Sequence, residues 1–121
     1  MPPRRSALLL PALVLLPRPA LAHALVISSS PSAGARLAAL PGQVVIRFNS
    51  RIDHARSRVT LIGPDHAQLA LELAPGQQPT TLTAPPPATP LVAGAWRLRW
   101  QVLAVDGHIT RGDIPFTVTP P

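Results

Sequence analysis

No cysteine occurs in the 121 residues, which excludes a disulfide framework, thiolate zinc sites and a cysteine nucleophile. Lysine is absent as well. All 11 basic residues are arginine, set against 5 acidic ones, so the formal charge is +6 and the isoelectric point lies near 11.9. A small chain this basic suggests nucleic acid or an anionic membrane as a partner. Aromatic residues, however, make up only 3% of it, and no basic run is longer than the pair Arg4-Arg5. That is a poor match to the basic groove with stacking platforms of a nucleic-acid binder, so no nucleic-acid partner is expected. There is no tyrosine, and the only methionine is Met1. What is present is 46% hydrophobic residues, enough to exclude disorder by composition, in a length suited to one domain.

The first residues have the layout of a secretory signal peptide. Met1–Arg5 is short and positive, Ala7–Leu16 is apolar apart from Pro11, and Ala20-Leu21-Ala22 supplies the small residues of a cleavage site before His23. The apolar run is far short of the roughly 20 residues that span a bilayer. The expected division is therefore a signal peptide over 1–22 and a single exported domain over 23–121, periplasmic, monomeric and without a membrane span. Removing Arg4, Arg5 and Arg18 leaves eight arginines against five acids. In the linear sequence these stand singly, as at Arg47, Arg97 and Arg99, a pattern that favours solubility.

The exported part lacks any long stretch with helical apolar spacing. Instead, short runs alternate with period two between proline and glycine markers, which predicts strands. Val44, Ile46 and Phe48 form one apolar face, Val59 and Leu61 another, and Leu69, Leu71 and Leu73 a third. Trp96, Leu98, Trp100 and Val102 share a face opposite Arg97, Arg99 and Gln101, which places both tryptophans in the core. Ile114, Phe116 and Val118 point inward on the last strand. With Ala24–Ser28 and Thr80–Thr83 this gives about seven strands, the pattern of an antiparallel β-sandwich or small barrel.

Chemistry concentrates in the histidines. Cleavage before His23 would free an α-amine beside an imidazole, a ready chelate for a metal, and an amine with a pKa near about 8 sheds its proton far more easily than a lysine. Asp106-Gly107-His108 follows the tryptophan-bearing strand, and residues two apart in extended backbone project to the same side. Alone, an Asp-Gly pair reads as a turn in which Asp106 bonds its own backbone. Together with His23 it completes three nitrogens and one oxygen, a tetragonal donor set that favours Cu(II), with Ni(II) or Zn(II) as the other candidates. His54 and His66 sit in expected turns and read as solvated loop residues, either being available as an accessory ligand.

These features resemble the CopC-type periplasmic copper-binding domain over essentially the whole exported length. The matching segments are His23-Ala24-Leu25, Ser30-Pro31, Pro41 to Phe48, Gly94 to Trp100, Asp106-Gly107-His108, Gly112 and Phe116-Thr117-Val118. The resemblance implies an immunoglobulin-like Greek-key sandwich that binds one Cu(II) through His23, Asp106 and His108, acts as a carrier or buffer in copper homeostasis and resistance, and is not an enzyme. It also suggests a membrane copper transporter as a partner. Two departures stand out. The Met-rich loop that forms a Cu(I) site in some members is missing, and Asn49-Ser50-Arg51 stands where some carry a weakly ligating Glu. A second reading is a copper-dependent oxidative enzyme of the lytic polysaccharide monooxygenase type, which also uses an N-terminal histidine chelate.

Overall fold

The structure, a computed structural model, describes residues 24–121. The expected signal peptide, 1–22, and His23 lie outside the described residues. Eight strands form: β1 (Val26–Ser30), β2 (Ala35–Leu37), β3 (Val44–Phe48), β4 (Ile52–Ile62), β5 (Gln68–Leu71), β6 (Thr81–Ala84), β7 (Gly94–Ala104) and β8 (Ile109–Val118). They make a three-stranded sheet in the order β1-β3-β6 and a five-stranded sheet in the order β2-β8-β7-β4-β5. The two sheets pack into an open β-sandwich, as the alternating pattern predicts.

The period-two faces meet in one core. Val44, Ile46 and Phe48 of β3 and Leu82 of β6 face Val59 and Leu61 of β4, Leu98, Trp100 and Val102 of β7, and Ile114, Phe116 and Val118 of β8. Phe48 and Trp100 join the sheets edge to face, with ring centroids 5.2 Å apart and planes at 76°. That arrangement sets the positive edge of one ring against the negative face of the other. Trp100 needs room on its own sheet too. A Cβ at Gly112, its cross-strand partner, would lie 2.7 Å from the indole Cζ2, so any side chain there must displace the indole or the strand.

Four expectations need correction. A further strand, β2, runs parallel to the end of β8, Ala35 opposite Phe116 and Leu37 opposite Val118; at three residues it is too short to show a period. β4 begins at Ile52, well before the Val59 and Leu61 face by which it is predicted, because an irregularity between Asp53 and Arg58 interrupts its pairing with β7 and breaks the alternation. Leu69 is exposed, since β5 is an edge strand paired only with β4. Trp96 is half-buried where Trp100 is buried. It lies at the start of β7, packs against the margin of the core, and its Nε1–H donates to the Val92 carbonyl at 2.8 Å.

Candidate metal centre

β7 and β8 are joined by the short turn Val105-Asp106-Gly107-His108. The Ala104 N–H donates to the His108 carbonyl at 2.9 Å and the Gly107 N–H to the Ala104 carbonyl at 3.0 Å. Gly107 takes φ +84°, left-handed backbone that glycine enters without steric cost. Asp106 closes the turn from its side chain, Oδ1 accepting the His108 N–H at 2.9 Å. Its second oxygen, Oδ2, lies 2.8 Å from His108 Nδ1. The turn reading of Asp-Gly-His is therefore realised, and the same turn brings the two side chains together.

The carboxylate beside Nδ1 fixes the direction of the imidazole, so that one short turn presents an oxygen donor and a nitrogen donor together. The Asp106 side chain is 16% exposed while that of His108 is 66% exposed. The ring is thus presented at the surface by a largely covered carboxylate. Exposed Val105 and Ile109 flank the pair.

The strand that would carry the third ligand is anchored up to the first described residue. Ala24 is fully buried. Leu25 is held on both sides by Asn49, whose Oδ1 accepts the Leu25 N–H at 2.8 Å and whose own N–H donates to the Leu25 carbonyl at 2.9 Å. This extends the β1–β3 ladder beyond Val26 opposite Phe48. Sequence reasoning treats Asn49 only as the absence of a Glu; its role depends on a contact 24 residues away, for which the sequence carries no local signal. The neighbouring Ser50 Oγ is buried and, among the described residues, has no hydrogen-bond partner.

The other histidines do not join the pair. His54 is not a solvated loop residue: it lies in β4, half-buried, and its Nε2 is 2.8 Å from the Thr81 carbonyl, which ties β4 to the other sheet. His66 is exposed in the turn after β4, with φ 67°, as a loop residue should be. Among the described residues no group of three or more His, Asp or Glu side chains is assembled to hold a metal. Asp106 and His108 supply two donors, and the third expected one, His23, lies outside the described residues.

Comparison with known proteins bears on this arrangement. The model of the CopC domain matches residues 26–119. Copper resistance protein C of Pseudomonas syringae pv. tomato is 30% identical over 104 residues, covering 80% of this chain and 81% of that protein. The crystal structure of CopC from Methylosinus trichosporium OB3b superposes with a TM-score of 0.71 at 30% identity, over 81% of this chain and 95% of that one. PcoC, a methionine-rich copper resistance protein from Escherichia coli, superposes with a TM-score of 0.63 at 30% identity, over 79% and 98%. Fold and sequence agree: the chain belongs to the CopC domain family.

Proposed function

We propose that this chain is an exported, periplasmic copper carrier or buffer serving copper homeostasis and resistance, and that it binds a single Cu(II) without catalysing a reaction. The ligands are the α-amine and imidazole of His23, freed by cleavage of residues 1–22, the carboxylate of Asp106 and the imidazole of His108. The observation that carries this reading is the turn-locked Asp106–His108 pair, with Oδ2 and Nδ1 2.8 Å apart. A mixed nitrogen and oxygen donor set suits Cu(II). Anchoring of Ala24 and Leu25 supports it further, because a chelate one peptide bond upstream of Ala24 would extend from fixed backbone. The only methionine is Met1, so thioether ligation of Cu(I) has no donor in the exported chain, in contrast to the methionine-rich relative.

The test is electron paramagnetic resonance of the exported protein with one equivalent of Cu(II), after mass spectrometry has fixed its first residue. A tetragonal nitrogen and oxygen signal lost in both His23→Ala and His108→Ala is the expected result. Tight copper binding by protein that retains residues before His23 would overturn the chelate. Ascorbate-driven oxidation of chitin or cellulose by the copper-loaded protein would overturn the carrier assignment in favour of an oxidative enzyme.

A further inference from the structure

The strand register gathers charge that the linear sequence scatters. Arg58 on β4 lies opposite Gln101 on β7, which lies opposite Arg111 on β8. The next outward row is Thr60, Arg99 and Asp113, and the one beyond it contains Arg97. Residues two apart on a strand share a face, so Arg58, Arg97, Arg99 and Arg111 all stand on the outer side of the five-stranded sheet, with Asp113 as the one acid among them. Elsewhere in residues 24–121, four arginines (Arg36, Arg47, Arg51, Arg56) are matched by four acids (Asp53, Asp65, Glu72, Asp106). The whole net positive charge of the described residues is therefore on this one face.

Asp113 is already committed. Arg99 Nε donates to its Oδ1 at 2.8 Å and Arg99 Nη2 to its Oδ2 at 3.0 Å, with Arg97 Nη1 at 3.4 Å. Among the described residues Arg58 and Arg111 have no carboxylate within ion-pair distance. They border a surface cleft of about 490 Å³, some 10 Å apart across two strand spacings. Towards the hairpin turn the next row is aliphatic, Leu103 opposite Ile109, with Ile109 59% and Val105 64% exposed. This strip leads directly to Asp106 and His108.

We propose that the outer face of β4, β7 and β8 is a docking surface for an acidic protein partner. The partner presents carboxylates to Arg58 and Arg111 and an apolar contact to Ile109 and Val105, which brings its edge over the β7–β8 turn. The idea that copper is exchanged across this contact rests on the carrier reading; the docking does not. A small anion is a poorer fit, because the arginines are spread across the cleft rather than converging on one point. Nucleic acid lacks an exposed aromatic platform here. Asp113 in the middle of the arginines gives an alternating charge pattern that a uniformly anionic bilayer does not complement.

The experiment titrates the isotope-labelled protein by NMR with a peptide of Glu and Leu, with its Gln-for-Glu counterpart, with phosphatidylglycerol vesicles and with inorganic phosphate. The expected result is that the acidic peptide alone shifts the amides of Arg58, Gln101, Leu103, Ile109 and Arg111. Its affinity should fall steeply as added salt shortens the screening length from about 30 Å at 0.01 M to about 3 Å at 1 M. In Arg58→Glu/Arg111→Glu it should fall about tenfold or more, with the milder Arg58→Gln/Arg111→Gln pair as a folded control. Shifts scattered over both sheets, unchanged affinity in the double variants, or equal binding to vesicles or phosphate would overturn the proposal. Cu(II) resonance on the same variants separates the two readings: docking lost with the copper signal intact supports this surface, and docking without any copper signal in the parent protein removes the carrier reading alone.

Discussion

Asp106 grips His108 twice, by its backbone N–H through Oδ1 at 2.9 Å and by its ring Nδ1 through Oδ2 at 2.8 Å. One side chain thus sets both the path of the turn and the direction of the imidazole. Substitution can separate these duties. Asp106→Asn keeps an oxygen for the His108 N–H but lacks the anionic donor. We expect it to preserve the turn, read as an unchanged His108 amide shift, while Cu(II) affinity measured by competition with a chelator falls about 10–100-fold. Asp106→Ala should lose both.

Asn49 offers a test of how far the proposed metal site depends on backbone anchoring. Removing its side chain in Asn49→Ala deletes the 2.8 Å bond to the Leu25 N–H, a loss of about 1 kcal/mol in an exposed setting. The global denaturation midpoint should move little. Amide exchange at Leu25 should speed up, and Cu(II) affinity should drop more than the stability change alone accounts for.

Gly112→Ala addresses the core. The added methyl would sit 2.7 Å from Trp100 Cζ2, closer than two carbons approach, so the indole or β8 must shift. A loss of about 1–3 kcal/mol is expected for such overpacking, measured by urea denaturation without copper and followed by Trp fluorescence.

The Arg99 guanidinium, bonded to both oxygens of Asp113, holds that carboxyl below its ordinary value of 3.8, an effect opposed by partial burial and aided by the charges of Arg99 and Arg97. A depressed carboxyl stabilises the folded state above the unfolded value and loses that contribution as pH falls through the lowered folded one. In an NMR titration Asp113 should therefore ionise below the ordinary carboxylate value, and in Arg99→Ala it should move up towards that value. The pair is exposed, so its effect on overall stability should be small and should fade with salt.

In the proposed site, copper binding must displace protons from the nitrogen ligands. Cu(II) affinity should consequently decline steadily between about pH 7 and 5, followed by chelator competition, whereas affinity flat across that range would contradict ligation by an amine and imidazoles.

How much of this was legible before the structure follows from the physics of each element. Strands β3, β7 and β8 each set one face on the core, so Ile46, Leu98 and Phe116 announce themselves by alternation. The early half of β4 does not, because its irregular pairing puts His54 against Thr81 of the opposite sheet, and no local pattern encodes that partner. Asp106 and His108 were legible as a pair since only Gly107 separates them. Asn49 and Leu25 were not, and neither was the arginine face: Arg58, Arg99 and Arg111 become neighbours only once the register of three strands is known.

The partial cover that β2 gives to β8 has a consequence for self-association. β2 pairs with Phe116–Val118 only, and the Gly34 N–H reaches the Pro115 carbonyl at 2.7 Å. Among the described residues, Ile109–Ile114 of β8 has no strand on the side away from β7. Such open edges recruit other chains into fibres and stacked sheets. Here an incoming strand would meet Arg111 and Asp113 and then Pro115, which has no N–H to offer the ladder. The edge beside the β7–β8 turn is thus bare but carries charge and a proline that disfavour pairing with another strand.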